Sequence, residues 1–382
     1  MGRRGHGEGT IARRDDGRWT AAMTLESGKR KWFYGKTRKE VQEKLTAALR
    51  DQQQGRLVIG SNQTVEQYLN RWLEGTVKTS VRASTYDCYV LCVKRALPHL
   101  RTLRLGTIKP VHIQDCYGAL LKKGLSRRTV ELVHSVLHRA FRQAVQGDMM
   151  GRNPTDAVSV PRPKRQEMQT LNADQVKHLL ATSTNDRLTA LWMLLASTGL
   201  RIGEATGLCW NDIDLDSGRI VIQRALQRQN GVGLVFVEPK TERSRRTVHL
   251  SAGAVSALRE HRKRQAVERL QAGPLWDGQG LVFCTLTGKP IGPSDVDKAF
   301  HRALDQAGLP KIRVHDLRHT AATLLLSQGV HPKVVQEMLG HSTITLTLDT
   351  YSHVIPMLHQ QAAELMDDIL RDEADKNNTK AV

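Results

Sequence analysis

The sequence predicts a multi-domain, mainly α-helical chain with small β elements, and three observations carry that expectation. Its 382 residues exceed what one hydrophobic core usually organises, which favours two or three domains. Apolar residues recur at helical spacing through most of the chain, while strand-like runs are confined to two short stretches. Asn153-Pro154 and the run Val160-Pro161-Arg162-Pro163-Lys164-Arg165 then interrupt any continuous helix and leave an extended basic connector.

Taken in order, residues 1–56 form a first unit. Residues 1–9 are rich in glycine and arginine and read as a basic arm. Asp16-Gly17 and Ser27-Gly28 are turn signals that separate strand-like segments such as Arg18–Leu25 and Arg30–Tyr34. From Thr37 the spacing of Val41, Leu45, Ala48 and Leu49 is helical, so the expectation is a three-stranded sheet with one helix. Trp19, Trp32, Phe33 and Tyr34 sit among Arg13, Arg14, Arg18, Lys29, Arg30 and Lys31. Most of those aromatics are expected in a small core, with the basic residues forming a ribbon of major-groove dimensions.

Residues 62–152 form an all-helical second unit. Thr64-Val65-Glu66-Gln67 has the capping-box pattern, and Val65, Tyr68, Leu69, Trp72 and Leu73 make an apolar face behind it. Further helices are expected around Ser84–Leu97, Pro110–Lys123 and Ser126–Gly147, with Lys122, Lys123, Arg127 and Arg128 on a basic surface. A linker, 153–170, carries Lys164 and Arg165. The third unit, 171–372, opens with helices, passes through strand-like segments at Arg219–Arg224, Gly233–Glu238 and Arg246–Leu250, and returns to helices. Residues 373–382 are a polar tail.

Composition narrows the function classes. Fifty-seven Lys and Arg against 38 Asp and Glu give a net charge of +19 and a pI near 10.0, which suits a polyanionic partner. No run approaches about eighteen apolar residues, and the basic N-terminus has no apolar signal core, so a cytosolic protein is expected. Cys88, Cys92, Cys116, Cys209 and Cys284 show no C-x-x-C pair, which reads as reduced thiols rather than disulfides or structural zinc.

Polar residues interrupt the third unit at a few places. Thr198-Gly199-Leu200-Arg201-Ile202-Gly203-Glu204 puts Arg201 just past a helix-ending glycine. His315-Asp316-Leu317-Arg318-His319 places His315 and Arg318 on one helical face. Leu339-Gly340-His341 repeats the helix-ending pattern, Tyr351 follows a threonine-rich stretch, and Lys240 lies where two strand-like runs should turn. Singly, each has an ordinary reading as a salt-bridge, packing or solvated residue. His315 and His319 are four apart, but Asp316 replaces the glutamate of H-E-x-x-H and no third ligand is evident. Together they make a sufficient set for metal-free phosphoryl transfer. Guanidinium forks match the charged non-bridging oxygens of the transition state, a tyrosine serves as nucleophile if a base assists it, and a lysine can protonate the leaving oxygen.

In order and spacing, Arg201 in T-G-L-R-I-G-E, His315 and Arg318 in H-D-L-R-H-T, His341 in L-G-H and Tyr351 ten residues later resemble the active site of the tyrosine recombinase (phage integrase) family. Lys240 in E-P-K-T-E-R-S-R-R fits that family's β-hairpin lysine, with Lys289 a competing candidate in another turn. The resemblance implies that Arg201 and Arg318 bind the scissile phosphate and His341 adds a hydrogen bond. His315 would take the tyrosine proton, Lys240 would protonate the 5′-oxygen, and Tyr351 would form a 3′-phosphotyrosyl link. Glu204 and His319 would support them. It further implies a helical core-binding domain, an N-terminal arm-binding domain, and double-stranded DNA as partner. A homotetramer acting through a Holliday junction, an excisionase and a host DNA-bending protein would complete the assembly, with no metal, ATP or other cofactor. An amphipathic stretch after Tyr351, with Leu358, Ala362, Leu365, Met366 and Ile369 on one side, would pack on a neighbouring subunit. Two competing readings are a type IB topoisomerase-like relaxase and a DNA-binding protein that keeps only the fold.

Overall fold

A computed structural model describes residues 9–24, 30–53, 63–160, 169–238, 245–341 and 343–350, together with 363, 364, 366, 367, 369 and 370. The chain divides into two compact units, residues 1–165 and 166–382.

In the first unit, strands β1 (Thr10–Arg13), β2 (Trp19–Thr24) and β3 (Arg30–Gly35) pair antiparallel in the order β1-β2-β3, followed by helix α1 (Arg38–Gln53). The Asp16-Gly17 turn closes β1 on β2 as expected, with Gly17 donating to Arg14 O at 3.0 Å from a positive φ of 80°. Alternation along β2 and β3 sorts the side chains by face. Ala21, Met23, Trp19 and Phe33 pack with Val41 and Leu45 of α1. Trp32 and Tyr34 point the other way and stay 50% and 53% exposed, so only two of the four aromatics belong to the core. Lys31, between Arg30 and Trp32, lies instead on the helix side, 6.0 Å from the Phe33 ring.

The helical bundle that follows comprises α2 (Val65–Trp72), a π-helical turn at Leu73–Val77, the single turn α3 (Lys78–Ser80), α4 (Ala83–Leu100), α5 (Pro110–Lys122) and α6 (Arg127–Gln146). Thr64 and Gln67 exchange the two capping-box hydrogen bonds at 3.2 and 2.9 Å. The apolar face of α2 then docks on α6, where the Tyr68 hydroxyl donates to Ala140 O and Trp72 Nε1 to Gln143 Oε1. Burying each aromatic with its polar tip satisfied is what lets these residues enter a core.

In the second unit come α7 (Ala173–Thr182), α8 (Thr189–Thr198), α9 (Ile202–Thr206), the strands β4 (Ile213–Asp214), β5 (Arg219–Ile222), β6 (Ala225–Gln229), β7 (Gly233–Val237) and β8 (Arg246–His249), then α10 (Ala252–Ala272), α11 (Pro293–Gln306), α12 (Asp316–Ser327), α13 (Pro332–Leu339) and α14 (Ile344–Thr350). Its core gathers Trp192 of α8, Ile220 and Val248 of the sheet and Phe300 of α11, with the Trp192 and Phe300 rings 5.1 Å apart. The strand pairing differs from expectation. The run at Gly233 does not turn into the run at Arg246. β7 pairs with β6, and β8 returns to pair with β5 in the order β4-β5-β8. The cause is the Asn230-Gly231 turn: Gly231 and Gly233 take positive φ of 75° and 102°, closing a tight hairpin upon Ala225–Gln229. That strand lacks β-branched residues, so its sequence conceals it. All five cysteines are free thiols.

Candidate active site

Three helix ends in the second unit present the site. α8 ends at Gly199, whose left-handed φ of 61° reverses the chain and leaves Arg201 as the cap of α9. A Cβ at Gly199 would sit 2.4 Å from Leu339 Cδ2, so glycine is needed for close approach as well as for conformation. α13 ends at Gly340 with φ 67°, and His341 follows at once. His315 caps α12 and Arg318 lies in its first turn. Thr320 steadies that turn: its hydroxyl donates to Asp316 O and accepts from the Leu171 amide. Asp316 is itself held by the Arg313 fork at 2.6 and 3.0 Å.

Reciprocal contacts bind these ends together. Arg318 is buried and donates from Nη1 to Gly199 O at 2.7 Å, which places it against the turn that leads to Arg201. Arg201 donates from Nη2 to Gly340 O at 3.3 Å, the carbonyl just before His341. Glu204, also buried, accepts from the Arg201 amide at 3.1 Å and from its Nη1 at 2.9 Å. The His341 amide donates to Gln336 O, and Gln336 Nε2 returns a bond to His341 O. His341 Nδ1 lies 2.8 Å from the hydroxyl of buried Thr347 on α14. The His315 and His319 rings meet edge to face with centroids 5.2 Å apart.

This concentration of cations on buried ground has one electrostatic consequence for the imidazoles. Burial, then the Arg318 and Arg201 charges, push His341 down to about 4. Burial and neighbouring His315 push His319 down to about 4. Burial, then Arg318, lower His315. All three are therefore neutral near pH 7, and a neutral imidazole can accept a proton or donate a hydrogen bond. For Glu204, burial pushes upward, but the hydrogen bonds and charge of Arg246, with Arg201, outweigh it and keep the carboxylate ionised.

The fold thus brings Arg201, Glu204, His315, Arg318, His319 and His341 together. Lys240 and Tyr351 lie outside the described residues; α14 ends one position before Tyr351. Lys289 is exposed in the Thr285–Lys289 turn, its amide bonded to Thr285 Oγ1. Two residues escaped the sequence reading. Arg246 is buried against Glu204, and Thr347 holds His341. The signal for Arg246 was its period-two relation to Val248, which puts an arginine on the inward side of β8. Thr347 had no comparable signal among several nearby threonines.

Among the candidate DNA contacts, Arg30 lies on the outer face of the small sheet with Trp32 and Tyr34, and Arg14 is 6.0 Å from the Tyr34 ring. Arg13 pairs across from Trp19, and Arg18 is engaged by Asp16 at 3.2 Å. Arg127 and Arg128 are exposed at the start of α6, with Arg128 bonded to Glu131. Lys29, Lys164 and Arg165 lie outside the described residues. No helix among the described residues is long and apolar enough to cross a membrane.

Comparison with known proteins gives consistent matches. Residues 169–378 match the phage integrase family, and residues 64–121 match the phage integrase N-terminal SAM-like domain. A tyrosine recombinase XerC-like protein of Caldanaerobacter subterraneus subsp. tengcongensis is 32% identical, over 90% of this chain and 93% of that protein. An integrase of Streptomyces ambofaciens is 30% identical, over 93% and 94% of the two chains. Among solved structures, the Tn1549 transposon integrase in complex with transposon right end DNA superposes with a TM-score of 0.69 at 26% identity, covering 79% of this chain and 99% of that one.

Proposed function

The chain belongs to the phage integrase family and is a site-specific DNA recombinase of mobile elements, and from that premise we propose how its own residues divide the chemistry. Arg201 and Arg318 hold the scissile phosphate, their forks meeting the non-bridging oxygens where charge accumulates. His341 donates a further hydrogen bond, with Thr347 engaging Nδ1 and leaving Nε2 to face the phosphate. Tyr351 attacks phosphorus. The new O–P bond forms as the bond to the 5′-oxygen breaks, His315 takes the phenolic proton, and Lys240 protonates the departing oxygen. The 3′-phosphotyrosyl link is resolved by the 5′-hydroxyl of the partner strand, through a Holliday junction. One phosphodiester replaces another, so the reaction consumes no ATP, and the two arginines supply the positive charge that a metal would otherwise bring.

The observation that carries this reading is that Arg201 and Arg318 are held at two helix ends by the carbonyls of Gly340 and Gly199, beside imidazoles kept neutral. An ordinary salt-bridge arginine would face a carboxylate alone. Arg318 donates from a buried guanidinium to a backbone carbonyl, and Arg201 divides its guanidinium between Glu204 and Gly340 O.

The partner is double-stranded DNA. The helical bundle of residues 63–160 binds the core site, the catalytic unit cuts the strands there, and the outer face of the small sheet, with Arg14, Arg30, Trp32 and Tyr34, suits a separate arm site. That second DNA-facing surface favours recombination by a homotetramer over nicking and resealing by a relaxase. Excision would draw on a small accessory protein and a host DNA-bending factor, in the cytoplasm. A supercoiled plasmid carrying the DNA that flanks the gene tests the chemistry, incubated in EDTA and quenched with SDS. Wild type should yield a covalent protein–DNA adduct, and Tyr351→Phe should yield none; an adduct with both would refute the nucleophile assignment.

A further inference from the structure

Arg246 is a heavily engaged charged residue near the site that the proposed chemistry does not use. Its side chain is 8% exposed. Nη2 donates to Glu204 Oε2 at 2.9 Å, Nη1 lies 3.2 Å from Oε1, and Nε donates to Met338 O at 2.9 Å. The same group lies flat beneath the turn that precedes His341: a Cβ at Gly340 would stand 3.0 to 3.2 Å from Nη1, Cζ and Nε. One side chain on β8 thus touches the end of α13, the His341 turn and the carboxylate of α9.

The arrangement solves a charge problem. Glu204 is buried three residues after Arg201, and alone it would close on Arg201 and cancel the charge needed for phosphate. As built, four donors share its two oxygens: Arg201 N and Nη1, and Arg246 Nη1 and Nη2. Two guanidiniums against one carboxylate leave a net positive charge in the cluster. The second cation also fixes the carboxylate's orientation, so the Arg201 guanidinium meets only Oε1 and its Nη2 remains on Gly340 O.

We propose that Arg246 is a positioning residue for the phosphate-binding site, holding Glu204 and the Gly340-His341 turn so that Arg201 keeps its charge and aim toward the scissile phosphate. This rests on the reading of Arg201 as a phosphate ligand. Arg246 does not itself touch DNA in this scheme; its effect passes through Arg201. Removal therefore costs strand cleavage more than DNA binding, and costs nothing further once Arg201 is gone.

The test is a double-mutant cycle on the single-turnover rate of covalent adduct formation, using a duplex that carries the mapped cleavage site. Arg246→Met is expected to slow cleavage roughly 10- to 100-fold, the scale of losing an outer partner that orients a charged ligand. Arg201→Ala combined with Arg246→Met should be no slower than Arg201→Ala alone within about twofold. Should the methionine variant not fold, as judged by circular dichroism and melting, Arg246→Lys carries the same cycle with a smaller loss, since one ammonium cannot reproduce the fork. A neutral methylphosphonate at the scissile position removes the need for Arg201's charge, and there the Arg246→Met defect should shrink together with that of Arg201→Ala. Wild-type cleavage by the Arg246 variants, losses that multiply in the double variant, or a defect undiminished on methylphosphonate would each overturn the inference. If wild type itself forms no Tyr351-dependent adduct, the functional reading fails instead.

Discussion

At the scale of single residues, the proposed chemistry depends on arginines that stay charged among imidazoles that stay neutral. Replacing Arg318 by alanine should slow adduct formation by about 10²- to 10³-fold, the cost of losing one preorganised donor to developing charge. Binding of the same duplex, followed by gel shift, should weaken far less. The imidazoles make the pH dependence specific. A histidine whose folded pKa is depressed stays neutral below the usual value of about 6.5, and its contribution is lost only as pH falls through the depressed value. Single-turnover cleavage should therefore remain level as pH is lowered through about 6.5 and fall below it, as His315, the proposed base, accepts a proton. A rate that halves near pH 6.5 would show these imidazoles to be ordinary. The same sign holds for stability, because the unfolded chain binds these protons first. The melting temperature should fall between about pH 6.5 and 4, and less steeply in His341→Asn.

Several of these residues were legible in the sequence because they break a pattern. Arg201 and His341 follow glycines that end apolar helices, and both glycines adopt the left-handed conformation such an ending requires. His315 and Arg318 were legible as one face of a helix start. Arg246 was not, since a third arginine in R-S-R-R looks like more surface charge until the strand's inward side is known.

At the scale of elements, the two glycine turns determine how closely α8, α9 and α13 approach. Gly199→Ala puts a methyl group 2.4 Å from Leu339 Cδ2 on a residue with positive φ, and should destabilise the protein by about 1–3 kcal/mol, read from chemical denaturation. Wild-type stability in that variant would mean the turn is looser than the packing indicates. The small sheet illustrates what pattern alone cannot decide. Alternation along R-K-W-F-Y-G establishes that neighbouring side chains face opposite ways, but which face meets α1 depends on Ala21 and Met23 of the next strand. Trp32 and Tyr34 thereby fall on the outer face with Arg30. Arg30→Ala should weaken binding to arm DNA and reduce the slope of log K against log salt by about 1, leaving cleavage of an isolated core site unchanged. The hairpin of β6 and β7 eluded the sequence reading for a related reason. Its Asn-Gly turn is explicit, but A-L-Q-R-Q gives no strand signal before the partner strand supplies one.

For the whole molecule, a net charge of +19 carries a partner preference but no address. Some of that charge is already answered by surface carboxylates, as in Arg18 with Asp16 and Arg128 with Glu131. The fold class was legible because helix and strand periods differ so plainly between segments, whereas the pairing of strands far apart in sequence was not. The claim that unites the three scales is that a tyrosine, brought to a phosphate clamped by two arginines, becomes covalently joined to DNA. The most direct test digests the SDS-trapped adduct with protease and nuclease and identifies the peptide that carries the 3′-linked nucleotide by mass spectrometry. The expected result is a single modified peptide with the nucleotide on Tyr351. A nucleotide on any other residue, or attached through its 5′ end, would contradict the account.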